Sequence, residues 1–127
     1  MHADVEMLVM SSAPMVREGL QSMALALPRV KTVYTADCDL RSLLKLGEIN
    51  PSLILLDCTI PIAKYQELLS QVKQLWPQIK SVVLVDTEEE GLQIEGAGVD
   101  SILLKGIPAA KLLAILKTLL FSGGTSE

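Results

Sequence analysis

The apolar residues of this chain fall into two alternating spacings, short unbroken runs and longer stretches that repeat with a helical period. The runs at 7–10, 30–35, 53–56, 82–85 and 102–104 read as strands. Three of them, LILL, VVLV and ILL, are apolar at every position, which suits central parallel strands covered on both faces. Helical segments at 14–27, 40–49, 63–76, 88–97 and 108–121 follow them in turn, so the order is strand then helix, five times. Pro14 opens the first helix where a missing N–H costs nothing, and Met15, Leu20, Met23 and Leu27 are expected on one core face. Pro28, Pro51 and Pro77 end the first three helices. Gly91 and Gly96 each cost a helix about 1 kcal/mol relative to Ala, so the fourth is expected to be short and mobile. The last helix carries Leu112, Leu113, Ile115, Leu116, Leu119 and Leu120, a wider stripe than covering a sheet requires. A buried helix and a partly exposed interface are equal readings of it.

Composition fixes the scale. With 127 residues, half of them hydrophobic, the chain makes one domain, and 3% aromatic content makes its core aliphatic. Fifteen acids against eleven bases give a net charge of −4, too acidic for direct binding to a nucleic-acid backbone. No apolar run approaches a membrane span, and the acidic start is unlike a signal peptide, so cytoplasmic residence is expected. Cys38 and Cys58 have neither metal-ligand nor disulfide-framework spacing, and Cys58 reads as a buried, inert thiol. His2 reads as a solvated terminal residue, and Glu88, Glu89 and Glu90 as a solvated helix start favoured by the helix dipole.

In a doubly wound five-stranded parallel α/β sheet, functional residues gather at the carboxyl ends of the strands. That rule selects Ser11 and Ser12, Asp57, then Val85, Asp86 and Thr87, then Lys105. Only Asp57 and Lys105 form a pair with phosphoryl-transfer chemistry.

The stretches APMVREGL, NPSLILLDCTIP, PQIKSVVL and GVDSILLKG, in that order, resemble the receiver domain of two-component response regulators, in particular the NarL/FixJ (LuxR-type) subfamily. The resemblance covers nearly the whole chain. It implies a flavodoxin-like, CheY-like three-layer α/β/α receiver over 1–121, with 122–127 a flexible tail or the start of a linker. It also makes Asp57 the phosphoacceptor position and Lys105 the lysine position. The family's acidic pair, which joins the acceptor in holding Mg²⁺, falls on Ser11 and Ser12. Neutral hydroxyls cannot replace carboxylates for a hard divalent cation. The switch hydroxyl falls on Val85, with Thr87 a substitute only if the loop shifts register, and the switch aromatic falls on Ile102. The loop after the fourth strand is about two residues shorter than the family pattern.

The resemblance therefore implies a degenerate, or pseudo-, receiver: no enzyme, no cofactor, no metal. Charge balance makes Asp57 and Lys105 a residual ion pair, and the chemistry of two serines ahead of Pro14 suits capping of the first helix. Its partners are expected to be proteins, a histidine kinase or a second copy of the chain, and neither nucleic acid nor a membrane. A DNA-binding output domain would lie on a longer chain, or the receiver stands alone. The alternative is a working phosphoacceptor, with Mg²⁺, Asp86 and Thr87 making up the missing groups. A small-ligand pocket at Ser11, Ser12, Asp57 and Lys105 is a remote third reading.

Overall fold

The computed structural model describes residues 4–121. The readings of His2 and of 122–127 lie outside the described residues. Ten elements alternate: β1 (Val5–Ser11), α1 (Pro14–Leu25), β2 (Val30–Ala36), α2 (Leu40–Leu44), β3 (Leu53–Asp57), α3 (Ile62–Leu75), β4 (Lys80–Val85), α4 (Glu88–Ile94), β5 (Ser101–Leu104) and α5 (Ala109–Phe121). The five strands form one parallel sheet in the order β2-β1-β3-β4-β5. Strand order reverses between β1 and β3, where this architecture opens a crevice at the carboxyl ends.

Successive residues of a strand point to opposite faces, and the core divides accordingly. Leu8, Met10, Ile54, Leu56 and Val83 pack with Leu43 of α2, Leu68 and Val72 of α3 and Ile94 of α4. Met7, Val9, Leu53, Leu55 and Val82 pack with Ala24 of α1 and with Leu112 and Leu116 of α5. Strands with apolar residues on both faces thus separate two helical layers. The core is mostly aliphatic, as the composition requires, but Tyr65 and Trp76 are buried in it, and the Trp76 indole N–H donates to the Ile49 carbonyl at 2.8 Å.

Several helix limits differ from the sequence reading. α1 stops at Leu25; Leu27 N–H bonds back to the Ala24 carbonyl, and Arg29 turns the chain with φ 67°. Met15 is 85% exposed and is not core. At 3.6 residues per turn it stands about 140° round the helix from Leu20, which does pack against the sheet. α2 ends at Leu44 rather than 49, because three-residue turns take over at Leu46, Gly47 and Ile49. α4 ends at Ile94, where Glu95 leaves the helix and Gly96 takes φ 94°. In α5, Leu112 and Leu116 are buried and the other four stripe residues are half-buried.

Candidate functional site

The site grows from the strand ends. Ser11, last residue of β1, lies in register with Asp57, last residue of β3, and Val85 of β4 with Leu104 of β5. Lys105 follows β5 directly, and its backbone N–H donates to the Val85 carbonyl at 2.8 Å. Gly106 then takes φ 91°, a conformation glycine enters without strain, and turns the chain away.

This placement brings Lys105 Nζ to 3.2 Å from Asp57 Oδ1, 3.4 Å from Asp86 Oδ1 and 3.4 Å from Thr59 Oγ1. One ammonium therefore stands between two carboxylates. The Asp57 side chain is 9% exposed and that of Lys105 27%, so this pair is screened far less than a surface bridge. Oδ1 accepts no well-directed hydrogen bond and is matched by the ammonium's charge. Burial pulls the Lys105 ammonium toward its neutral form, but contact with Asp57 and the charges of Asp57 and Asp86 outweigh it and hold its pKa above the ordinary lysine value.

The other carboxylate oxygen, Asp57 Oδ2, lies 3.3 Å from the hydroxyl of buried Ser11, whose single proton serves either that oxygen or the Ala13 carbonyl. Neither serine caps α1 as expected. The N-cap residue is Ala13, with no side-chain bond; Ser11 Oγ accepts from Ala13 N–H just before the helix, and Ser12 Oγ accepts from Thr59 N–H across the site at 3.0 Å. Both hydroxyls thus join the β1 and β3 loops rather than serve the helix.

Val85 and Ile102, the two switch positions, meet at Gly91 of α4. A Cβ at Gly91 would stand 3.2 Å from Ile102 Cγ2 and 3.7 Å from Val85 Cγ2. Gly91 therefore lets α4 lie close on β4 and β5, which explains a residue that the sequence alone marks only as a helix-weakening one. Thr87, the substitute for the switch hydroxyl, lies at the start of α4. It is the N-cap of α4, its Oγ1 accepting from Glu90 N–H at 3.2 Å, while Glu90 Oε1 accepts from Asp86 N–H at 2.8 Å.

Beside the site runs a cleft of about 300 Å³ lined by Thr59, Pro61, Tyr65, Val85, Glu90 and Ile94. None of Ser11, Ser12, Asp57 and Lys105 lines it. Burial above all, with the charges of Asp57 and Glu90, outweighs the Cys58 N–H bond to Tyr65 Oη and pushes the Tyr65 phenol well above its usual pKa.

Cys38 and Cys58 form a disulfide, with Cα atoms 5.8 Å apart, which corrects the reading of Cys58 as an inert thiol. Cys38 sits two residues beyond β2 and Cys58 one beyond β3, the strands on either side of β1. Their separation of twenty residues carries no disulfide signal; their common place past the strand ends does. Among the described residues, no group of three His, Cys, Asp or Glu side chains is placed to hold a metal ion.

No protein-family model and no curated protein matches the chain. Solved structures do. A response regulator receiver domain protein (CheY-like) from Methanospirillum hungatei JF-1 superposes with a TM-score of 0.78 at 19% identity, over 93% of this chain and 94% of that one. This chain has the CheY-like receiver fold. A LuxR family DNA-binding response regulator from Silicibacter pomeroyi gives 0.74 at 19% identity, over 91% of each chain. The Salmonella typhimurium RcsB response regulator gives 0.76 at 18% identity over 93% of this chain, which spans 60% of that longer one. On the receiver fold, the sequence-selected Asp57, Lys105 and Ser11 come together, with Ser12 bound to the neighbouring Thr59. Asp86, selected by the same strand-end rule, and Thr59, which the sequence reading missed, also touch Lys105. No described helix is long and apolar enough to cross a membrane.

Proposed function

We propose that the chain is a degenerate receiver of a two-component response regulator of the NarL/FixJ type. It signals through protein contact and not through an Mg²⁺-dependent phosphorylation switch. The observation that carries this reading is the charge arrangement at Asp57. The two positions where the receiver resemblance calls for acids hold hydroxyls, one of them on Asp57 Oδ2, and the carboxylate's other oxygen faces the Lys105 ammonium. The residues present do not fit Mg²⁺. A hard divalent cation requires several oxygen ligands, preferably anionic, but Lys105 already stands between Asp57 and Asp86. Phosphoryl transfer is mostly positioning and charge neutralisation, so losing both the cation's ligands and the switch hydroxyl removes most of the apparatus.

The same reading makes it a cytoplasmic signalling domain, not an enzyme, whose partners are proteins, a histidine kinase or a second copy of the chain. The net charge of −4 leaves DNA contact to a separate output domain. The test is intact mass after incubation with a small-molecule phosphodonor, with and without Mg²⁺, on the wild type and Asp57→Asn. We expect no adduct on folded protein. A single added phosphoryl group that needs Mg²⁺ and disappears in Asp57→Asn would instead establish a working phosphoacceptor, with Asp86 as its second acid.

A further inference from the structure

The disulfide closes a ring around the end of β1. From Asp57 the chain passes to Cys58, across the bond to Cys38, and back one residue to Asp37. The Asp37 carboxylate pairs with Arg17 of α1, and Arg17 Nη2 donates to the Ser11 carbonyl at 3.0 Å. The Ser11 hydroxyl then returns to Asp57 Oδ2. Only the disulfide in this ring, apart from the backbone, is covalent. The two sulfurs are also unequal. Cys58 is 6% exposed, whereas Cys38 is half-buried and lines a groove with Leu40, Ile60, Lys64 and Glu67. On the buried side, the Met10 carbonyl lies 3.9 Å from Cys58 Sγ, placed to accept from a free thiol.

We propose that Cys38–Cys58 is a thiol–disulfide exchange site whose reactant is a dithiol, and that its state sets the tightness of the Asp57 pocket. A dithiol's thiolate enters the groove and attacks Cys38 Sγ. The bond between the two cysteine sulfurs breaks as a mixed disulfide forms on Cys38. Cys58 leaves with the electron pair and takes a proton from solvent, and its S–H then hydrogen-bonds to the Met10 carbonyl. The reactant's second thiol, deprotonated, then attacks its own sulfur in the mixed disulfide and releases Cys38, which is protonated in turn. The chain gains two electrons and two protons, and the dithiol becomes a disulfide. Exchange of this kind is the usual role of disulfides in reducing compartments. The inference does not depend on whether Asp57 accepts a phosphoryl group.

Two measurements on the full chain test it. In the first, Cys58→Ser and Cys38→Ser proteins are each incubated, folded, with oxidised glutathione, and the mixed disulfide is followed by mass. Cys38 should react at least about tenfold faster than Cys58 because access governs the rate. Equal rates, or a faster Cys58, would overturn the assigned order of attack. In the second, the oxidised wild type is reduced with dithiothreitol without denaturant, and amide hydrogen exchange is compared before and after. Exchange should rise about tenfold or more at 37–44 and at 59–60 by local opening while 7–10 remains the most protected segment and exchanges only through global unfolding, and the double variant Cys38→Ser, Cys58→Ser should not respond to dithiothreitol. A bond that reduces only in denaturant, or reduction without change at those amides, would make it a purely structural crosslink and overturn the proposal.

Discussion

Lys105 is the residue on which the charge balance of the site depends. It answers Asp57, which is buried, and Asp86, whose side chain is 55% exposed, and the two contacts differ in worth. Removing one partner of a buried pair leaves the other uncompensated, at about 3–5 kcal/mol. Lys105 is partly open to solvent, so Lys105→Met is expected near the low end, about 3 kcal/mol by urea unfolding. Adding Asp57→Asn to that variant should recover most of the loss. Asp86→Asn alone should cost less than about 1 kcal/mol, as exposed pairs do. The pH dependence follows from the direction of the shift. A lysine with a folded pKa above its unfolded value of 10.5 binds more protons folded than unfolded, so its contribution is complete below that pH. It declines as pH rises above 10.5 through the raised folded value. Wild type should therefore lose stability relative to Lys105→Met in that alkaline window; parallel pH profiles there would refute the ion pair's role.

At the scale of elements, α4 shows how a locally poor residue can be right for the fold. Gly91 weakens the helix by about 1 kcal/mol relative to Ala, but a Cβ there would press on Ile102 Cγ2 at 3.2 Å. The two terms oppose, and truncating Ile102 should separate them. Gly91→Ala is expected to gain little or lose stability in the wild type and to stabilise an Ile102→Ala background. The coupling should be at least about 0.5 kcal/mol in a double-mutant cycle; additivity would mean that α4 is not held by this contact. The example also marks what the sequence could reveal. Five strands and their order with the helices were legible because runs such as LILL and VVLV permit few alternatives once both faces are apolar. The gathering of Asp57 with Lys105 followed from strand-end topology. The end of α2 at Leu44, the close approach at Gly91 and the outward face of Met15 were not legible, because each is set by contacts between elements. The Cys38–Cys58 bond was legible only through the place of both cysteines past the ends of β2 and β3, since their separation of twenty residues carries no such signal.

For the whole molecule, the question is how far the fold depends on that bond. The two helical layers share the sheet, with β1, β3 and β4 supplying residues to both cores. Neither layer keeps its core if the sheet comes apart, so unfolding should be one cooperative transition in either redox state. A crosslink closing a loop of twenty residues stabilises a fold by about 3 kcal/mol in the chain-entropy account, mainly by restricting the unfolded chain. Reduction is therefore expected to lower the unfolding free energy by about 3 kcal/mol without abolishing the native state, because the cores themselves remain. The same account requires a second change. An uncrosslinked unfolded chain is more expanded, so the dependence of free energy on urea should steepen on reduction. Urea unfolding of the oxidised and reduced chain, followed by both far-ultraviolet circular dichroism and Trp76 fluorescence, reads all three quantities. Trp76 packs in only one of the two cores, so coincident transitions from the two probes would show that the layers unfold together. A reduced chain with two separate transitions would instead assign the disulfide a part in joining the layers, which the shared strands do not require.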